Sequence, residues 1–179
     1  DAGAVLTNNH EIYDKVYQLH DHGRDKDGEV KSWGRNSRLD NLQAAILNYR
    51  LKSYQKVIKR RRQIASIYND NLIDLKQLKL PPPPSNGDHF DIYQNYEIVA
   101  DKRNELKKYL YEKGIGTIIQ WGGKGIHQWE LLNIKTKSLP KTEHFFANCI
   151  MLPMNTFISD EDVRFICNEI KKFYSGSNF

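Results

Sequence analysis

Residues 34–38 read GRNSR and stand just before an amphipathic stretch, LDNLQAAIL. A phosphate is held by bidentate guanidinium groups, amide donors and helix N-termini. Arg35, Asn36 and Arg38 bring the first two to a place where a helical pattern begins and supplies the third. The corner therefore reads as a phosphate-holding site, and the plainer reading is surface charge at a helix start. A second segment, QWGGKGIHQWELL at residues 120–132, ends a strand-like run in two glycines and goes on with Lys124, His127 and Trp129. Paired glycines let backbone approach a ligand closely, and tryptophan with histidine can line a sugar or base face. The plainer reading is a turn, with Trp121 and Trp129 in the core and His127 on the surface.

Other chemistries find less support. His20, His22, His89 and His144 have no carboxylate or cysteine at metal-ligand spacing, so no metal site is expected and these histidines read as structural or surface groups. Cys149 and Cys167 fall on apolar faces without a CxxC spacing, which suits two buried free thiols in a reducing cytoplasm. No Gly-rich nucleotide loop, GxSxG elbow or paired-carboxylate pattern occurs. The 27 basic and 22 acidic residues leave a net charge of +5, which suits an anionic ligand without requiring one. The basic run KRRR at residues 59–62 has no interleaved aromatics on which bases could stack, so it reads as a solvated face and no nucleic-acid partner is expected. No apolar run approaches the roughly 20 residues of a membrane span, and no membrane partner is expected.

The elements that must position these residues follow from periodicity and punctuation. The apolar run GAVLTN reads as a strand cut from a continuing sheet, so the chain is expected to be a fragment. Ile12, Val16 and Leu19 predict a helix over about 9–21, capped by Asn8 or Asn9 and ended by Gly23. Residues 22–37 are polar and aperiodic and predict a surface loop. Ser37 is expected to cap a helix with the stripe Leu39, Leu42, Ala45, Ile46 and Tyr49. Val57, Ile64, Tyr68, Leu72 and Leu75 predict a second helix, and the prolines of LPPPPSNG at 80–87 predict a stiff connector and subdomain boundary. Beyond them come a strand (FDIYQNYEIVA), a helix stopped by Gly114 and another strand (TIIQW). A last helix is capped at Ser159 with Asp162 as partner, its stripe Val163, Ile166, Cys167, Ile170 and Phe173. This order predicts an α+β fold, a small sheet covered by helices on one face, preceded by a helical arm.

Taken in order, the segments DAGAVLTNN, HDHGR, GRNSRLDNLQAAIL, RRRQIASIYNDNL, YQNYEIVADKRNELKKYLYEKGIGT and IMLPMNTFISDEDV resemble the DegT/DnrJ/StrS family of nucleotide-sugar aminotransferases, which use pyridoxal 5'-phosphate on the aspartate aminotransferase (type I) fold. The resemblance covers nearly the whole chain, and N-x-R-L-D-N-L-Q-A-A is its most specific part. It implies that residues 1–37 end a large cofactor-binding domain, 38–80 form a linker arm and 81–179 a small C-terminal domain. It implies a homodimer with shared active sites, in which Asn36 and Arg38 reach the neighbouring subunit's cofactor phosphate. Arg24, Arg35, Trp121, Lys124 and His127 are then expected to meet the nucleotide sugar. The segment QWGGKGIHQW is most similar to the branch that aminates the 3-keto carbon of dTDP-6-deoxyhexoses, with glutamate as the expected donor. The family's cofactor-bearing lysine is expected upstream of this segment, as are the acidic residue that pairs with the pyridine nitrogen and the aromatic that stacks on the ring. The chain alone is therefore expected to be inactive. A regulatory relative on the same fold, and a basic nucleic-acid-binding module, are the alternatives.

Overall fold

Asn9 starts the first helix in the computed structural model, which describes residues 3–134 and 138–176. Its side chain accepts from the amides of Glu11 and Ile12, and α1 runs over His10–His20. The Gly23 amide donates back to the Gln18 carbonyl at 2.8 Å with φ at +80°, a left-handed stop that glycine adopts without a Cβ penalty. Both ends of this helix agree with the expectation. Residues 3–8, expected as a strand, pair with no other described segment and form none.

The stretch 22–37 is more ordered than a surface loop. It folds into a closed hairpin through antiparallel bridges between Asp21 and Asn36 and between Arg24 and Val30. The amide of Arg35 donates to Leu19 O at 2.8 Å, that of Ser37 to His20 O at 2.8 Å, and that of His22 to Arg35 O at 3.0 Å. Ser37 is thus still engaged in the hairpin and caps nothing. Helix α2, Asn41–Leu51, starts later, with Asp40 at its N-cap position and no side-chain cap bond. Its expected stripe is present but uncovered: Leu42 is 75% exposed and Tyr49 77%.

Contacts divide the chain into two compact units, Asp1–Tyr54 and Gln55–Phe179. The second holds all but the first residue of α3, Tyr54–Leu72, which buries Ile64, Ala65, Tyr68 and Leu72. Three antiparallel strands follow in the order β1 (Leu78–Lys79), β2 (Tyr96–Ala100) and β3 (Cys149–Leu152). In β2 the side chains of Tyr96, Ile98 and Ala100 are buried while Glu97 and Val99 are half-buried, the period-two alternation of a sheet with one core face. Helix α4 (Arg103–Glu112) adds Leu106 and Leu110 to that core, and Gly114, at φ +77°, stops it as expected. Helix α6 (Asp160–Ser175) adds Val163, Ile166, Cys167 and Ile170. The fold class is α+β, as the periodicity implied.

The cap of α6 is as expected: Ser159 Oγ accepts from the Asp162 amide at 3.0 Å and donates to its carboxylate at 2.8 Å. Ser159→Ala should cost about 1 kcal/mol of stability, read as a lower denaturation midpoint at unchanged slope. Burial pushes the Cys167 thiol up to about 12 and the Cys149 thiol up to about 11, so both stay protonated, and both are free.

Three expectations are corrected, and the proline segment is anchored by side chains: Tyr93 Oη donates to Pro82 O at 2.7 Å and Arg62 Nη2 to Ser85 O at 2.7 Å, which hold it where its missing N–H groups cannot. TIIQW forms a single bridge, Ile118 to Met151, before the chain turns into a 3₁₀ turn over Gln120–Gly123. Helix α5 (Pro140–Asn148) and β3 had not been anticipated. The KRRR run is no solvated face. Successive helix positions point about 100° apart, and Arg60 reaches Asp160 and Ile158 O, Arg61 reaches Tyr93 O and Gln94 O, and Arg62 reaches Asp91 O with its guanidinium 4.0 Å over Phe90.

Candidate functional site

The residues singled out from sequence fall into two groups, one in each unit, and each is described within its own unit.

In the first unit the closed hairpin brings Arg24, Asn36 and Arg38 around Asp21, a residue sequence reasoning had passed over. Asp21 Oδ1 lies 3.3 Å from Arg38 Nη1 and 3.9 Å from Arg24 Nη2. Both arginines stay nearly half-exposed, so these pairs orient side chains more than they stabilise the fold. Arg38 Nε also donates to Asn36 Oδ1 at 3.1 Å. With its oxygen engaged there, the Asn36 amide keeps its two N–H donors for another acceptor. Arg38 retains guanidinium N–H groups beside it. An exposed amide donor next to a charged fork is the donor set an anionic oxygen requires, so these residues fit a phosphate. Arg35 stands apart from that cluster. It lines a hollow of about 420 Å³ with Val16, Leu19, His20 and Trp33.

The hairpin can close so tightly because two glycines meet back to back. A Cβ at Gly23 would lie 1.6 Å from Ser32 O, and one at Gly34 would lie 2.2 Å from Gly23 N.

In the second unit Trp121, Lys124 and His127 line a cavity of about 660 Å³ whose other walls include Ile126, Trp129, Leu132 and Phe146. Trp121 is 71% exposed, so it is no core residue. Lys124 Nζ stands 5.4 Å from the Trp129 ring centroid, and Trp121 and Gly122 both take positive φ at the corner. Beneath that corner lies Arg103, buried, donating to Cys149 O at 2.8 Å and to Phe146 O at 3.4 Å. A Cβ at Gly123 would be 3.3 Å from its Nη2. His127, the expected surface histidine of the plainer reading, has a side chain only 8% exposed, and its Nε2 meets Glu143 Oε1 at 3.1 Å. Asp21, Arg103 and Glu143 are the residues sequence reasoning missed. Pro140 followed by an acidic residue three positions on was the available signal for Glu143, because that pattern marks a helix start.

Among the described residues no group of three His, Cys, Asp or Glu side chains is placed to hold a metal ion, and no helix is long and apolar enough to cross a membrane.

Comparison with known proteins follows the same lines. The model of the DegT/DnrJ/EryC1/StrS aminotransferase family matches residues 1–171. A pleiotropic regulatory protein of Geobacillus stearothermophilus is 29% identical over 97% of this chain and 47% of its own length. The UDP-2-acetamido-2-deoxy-3-oxo-D-glucuronate aminotransferase of Pseudomonas aeruginosa is 29% identical over 93% of this chain and 45% of its own. The crystal structure of a DegT DnrJ EryC1 StrS aminotransferase from Brucella abortus superposes with a TM-score of 0.83 at 28% identity, covering 94% of this chain and 45% of that one. The chain thus spans about half the length of the curated relatives it matches. With a family model matching almost end to end over a fold of the same kind, this chain belongs to the DegT/DnrJ/EryC1/StrS aminotransferase family.

Proposed function

We propose that these residues form the C-terminal portion of an enzyme that moves an amino group from glutamate to a keto-sugar nucleotide, with pyridoxal 5'-phosphate as cofactor. Family membership supports the reaction class. The observation that carries the reading at residue level is the Asn36–Arg38 pair, whose amide and guanidinium donors are left facing outward to take a phosphate oxygen. Bound pyridoxal 5'-phosphate supplies the electron sink for amino transfer. This chain's part is to hold its phosphate through Asn36 and Arg38 on behalf of the neighbouring subunit of a homodimer. The uncovered α2 stripe and the 97% exposed Trp33 suit a surface that a second subunit covers.

The sugar is read as a dTDP-3-keto-6-deoxyhexose, on the strength of QWGGKGIHQW and the largely apolar walls of its cavity. Arg24 and Arg35 in the first unit, and Trp121, Lys124 and His127 in the second, are its proposed contacts. These 179 residues by themselves are proposed to be inactive, since none of their lysines stands in the family's cofactor-bearing motif. A regulatory role on the same fold is the second reading; the Geobacillus relative bears a regulatory name, and the family match and the aminotransferase relative from Pseudomonas support the first.

One experiment separates them. Full-length protein is loaded with pyridoxal 5'-phosphate and glutamate, and 2-oxoglutarate and amino sugar are followed with dTDP-, UDP- and GDP-linked keto sugars offered in turn. Turnover with the dTDP sugar is expected. Turnover only with a UDP or GDP sugar would remove the substrate assignment and leave the enzyme. Cofactor binding without any turnover would decide for the regulatory reading. Asn36→Ala in the same protein should weaken cofactor retention about tenfold, the loss of one charge-assisted bond, as measured by release during dialysis. Unchanged retention would remove the phosphate role of Asn36.

A further inference from the structure

Glu143 sits in the first turn of α5 and its Oε1 gathers three donors. These are the Leu139 amide at 2.8 Å, His127 Nε2 at 3.1 Å and the Ser138 hydroxyl at 3.1 Å. The Leu139 amide first, and His127 second, hold its carboxyl below the usual carboxylate range, so near neutral pH it is ionised. An ionised carboxylate only accepts, and the proton of the contact therefore rests on His127 Nε2. The other ring nitrogen is differently placed. Nδ1 is buried and has no hydrogen-bond partner among the described residues. A proton there would be a buried donor without an acceptor, at a cost of about 1–3 kcal/mol. A neutral ring protonated on Nε2 avoids that cost.

The ring is also fixed in space. A Cβ at Gly125 would lie 2.8 Å from His127 Cε1 and 3.0 Å from Nδ1, so the imidazole edge packs against that glycine and only glycine leaves room for it. Gly125 N in turn donates to Gln128 Oε1 at 2.9 Å, closing the short turn that carries His127. One face of the apolar cavity is thus a clamped imidazole, and among the described residues Lys124 is the one lysine or arginine that lines it.

We propose that Glu143 is a positioning residue: it holds His127 as the neutral Nε2–H tautomer, so that the wall formed by His127 receives a weakly polar ligand ring while Lys124 takes the ligand's charge. That combination suits a deoxygenated sugar joined to a phosphate. The inference rests on the sugar-nucleotide reading for its ligand, whereas the state of the imidazole is independent of it.

The test uses the full-length protein labelled with ¹⁵N-histidine, with His127 assigned by loss of its signals in His127→Gln. The wild type should show Nε2 protonated and Nδ1 bare near neutral pH. Glu143→Gln puts one neutral amide oxygen in place of the ionised Oε1 that His127 shares with Leu139 and Ser138, so the acceptor that favours Nε2–H weakens and the Nδ1–H tautomer should become populated. The KM for the sugar nucleotide should then rise about tenfold, with the glutamate half-reaction unchanged. Ser138→Ala, which removes a Glu143 partner without touching His127, should keep the wild-type tautomer and KM.

A wild-type ring protonated on Nδ1 would overturn the proposal. So would a tautomer shift in Glu143→Gln without a change in KM. An equal KM rise in Ser138→Ala would trace the effect to the start of α5 and overturn it as well. If no keto-sugar nucleotide is aminated at all, the functional reading falls by itself, and the substrate-free spectrum still decides how Glu143 sets His127.

Discussion

Replacing Gly23 by alanine in the full-length protein is expected to open the hairpin of residues 21–37. Amide exchange at His22, Arg35 and Ser37 should speed up by about a hundredfold, the signature of roughly 3 kcal/mol of lost local stability. Two effects add. The residue sits at φ +80°, where a side chain costs about 1 kcal/mol. Its Cβ would also fall 1.6 Å from Ser32 O, a backbone atom that cannot swing aside as a side chain could. Gly34→Ala meets the same barrier from the other strand, 2.2 Å from Gly23 N. Gly28→Ala separates the two effects, because φ is +86° there but nothing lies within 4 Å of the new methyl. It should show the conformational cost alone. If Gly28→Ala and Gly23→Ala are equally damaging, the close approach of the two strands is not what holds the hairpin. Since the hairpin carries Asn36 and Arg38, Gly23→Ala should also release cofactor faster than Asn36→Ala.

Arg103→Leu is expected to cost about 2–4 kcal/mol. The leucine fills the stem's volume but leaves the carbonyls of Cys149 and Phe146 without the guanidinium. A denaturant midpoint lowered at constant slope would show it. Arg103→Lys should recover only part of the loss, because an ammonium lacks the planar guanidinium whose Nη1 serves both carbonyls while Nε reaches Asn104 Oδ1 and Nη2 lies beside Gly123. The site should register the change too. With its floor gone, the Gly122–Gly123 corner shifts, taking Trp121 and Lys124 with it, and the KM for the sugar nucleotide should rise. A stability loss with an unaltered KM would mean that the corner is held by its own backbone and not by Arg103.

How much of this could be read from the residues depends on where each interaction finds its partner. Helices α1, α4 and α6 were legible because their determinants are local: Asn9 and Ser159 as caps, Gly23 and Gly114 as stops, and apolar spacing of three and four. The stripe of α2 was legible as a stripe, but burial is a property of the assembly, and within this chain Leu42 and Tyr49 remain open. Strand β3 was missed because CIML is a short apolar run without alternation, which a pattern alone cannot tell from a helix end. The KRRR run misled for a related reason. Charge pattern records donors, while the acceptors of Arg60, Arg61 and Arg62 are mostly backbone carbonyls, which every sequence contains. The candidate site was legible by residue type at Asn36, Arg38, Trp121, Lys124 and His127. Asp21 and Glu143 were not, since each acts by orienting another side chain, and that is a matter of distance rather than spacing.

The bond between Arg60 and Asp160 spans 100 residues of chain, and Tyr68 Oη reaches forward to Pro153 O. A ribosome adding about 5–20 residues per second needs roughly 5–20 s to cover that span. Through that interval α3 is finished while β3 and α6, which share its core cluster, are not yet complete. The hairpin before it has no such wait, because every bond that closes it lies within 20 residues of its start. The hairpin of residues 21–37 can therefore close on the nascent chain while the core of the second unit is still incomplete.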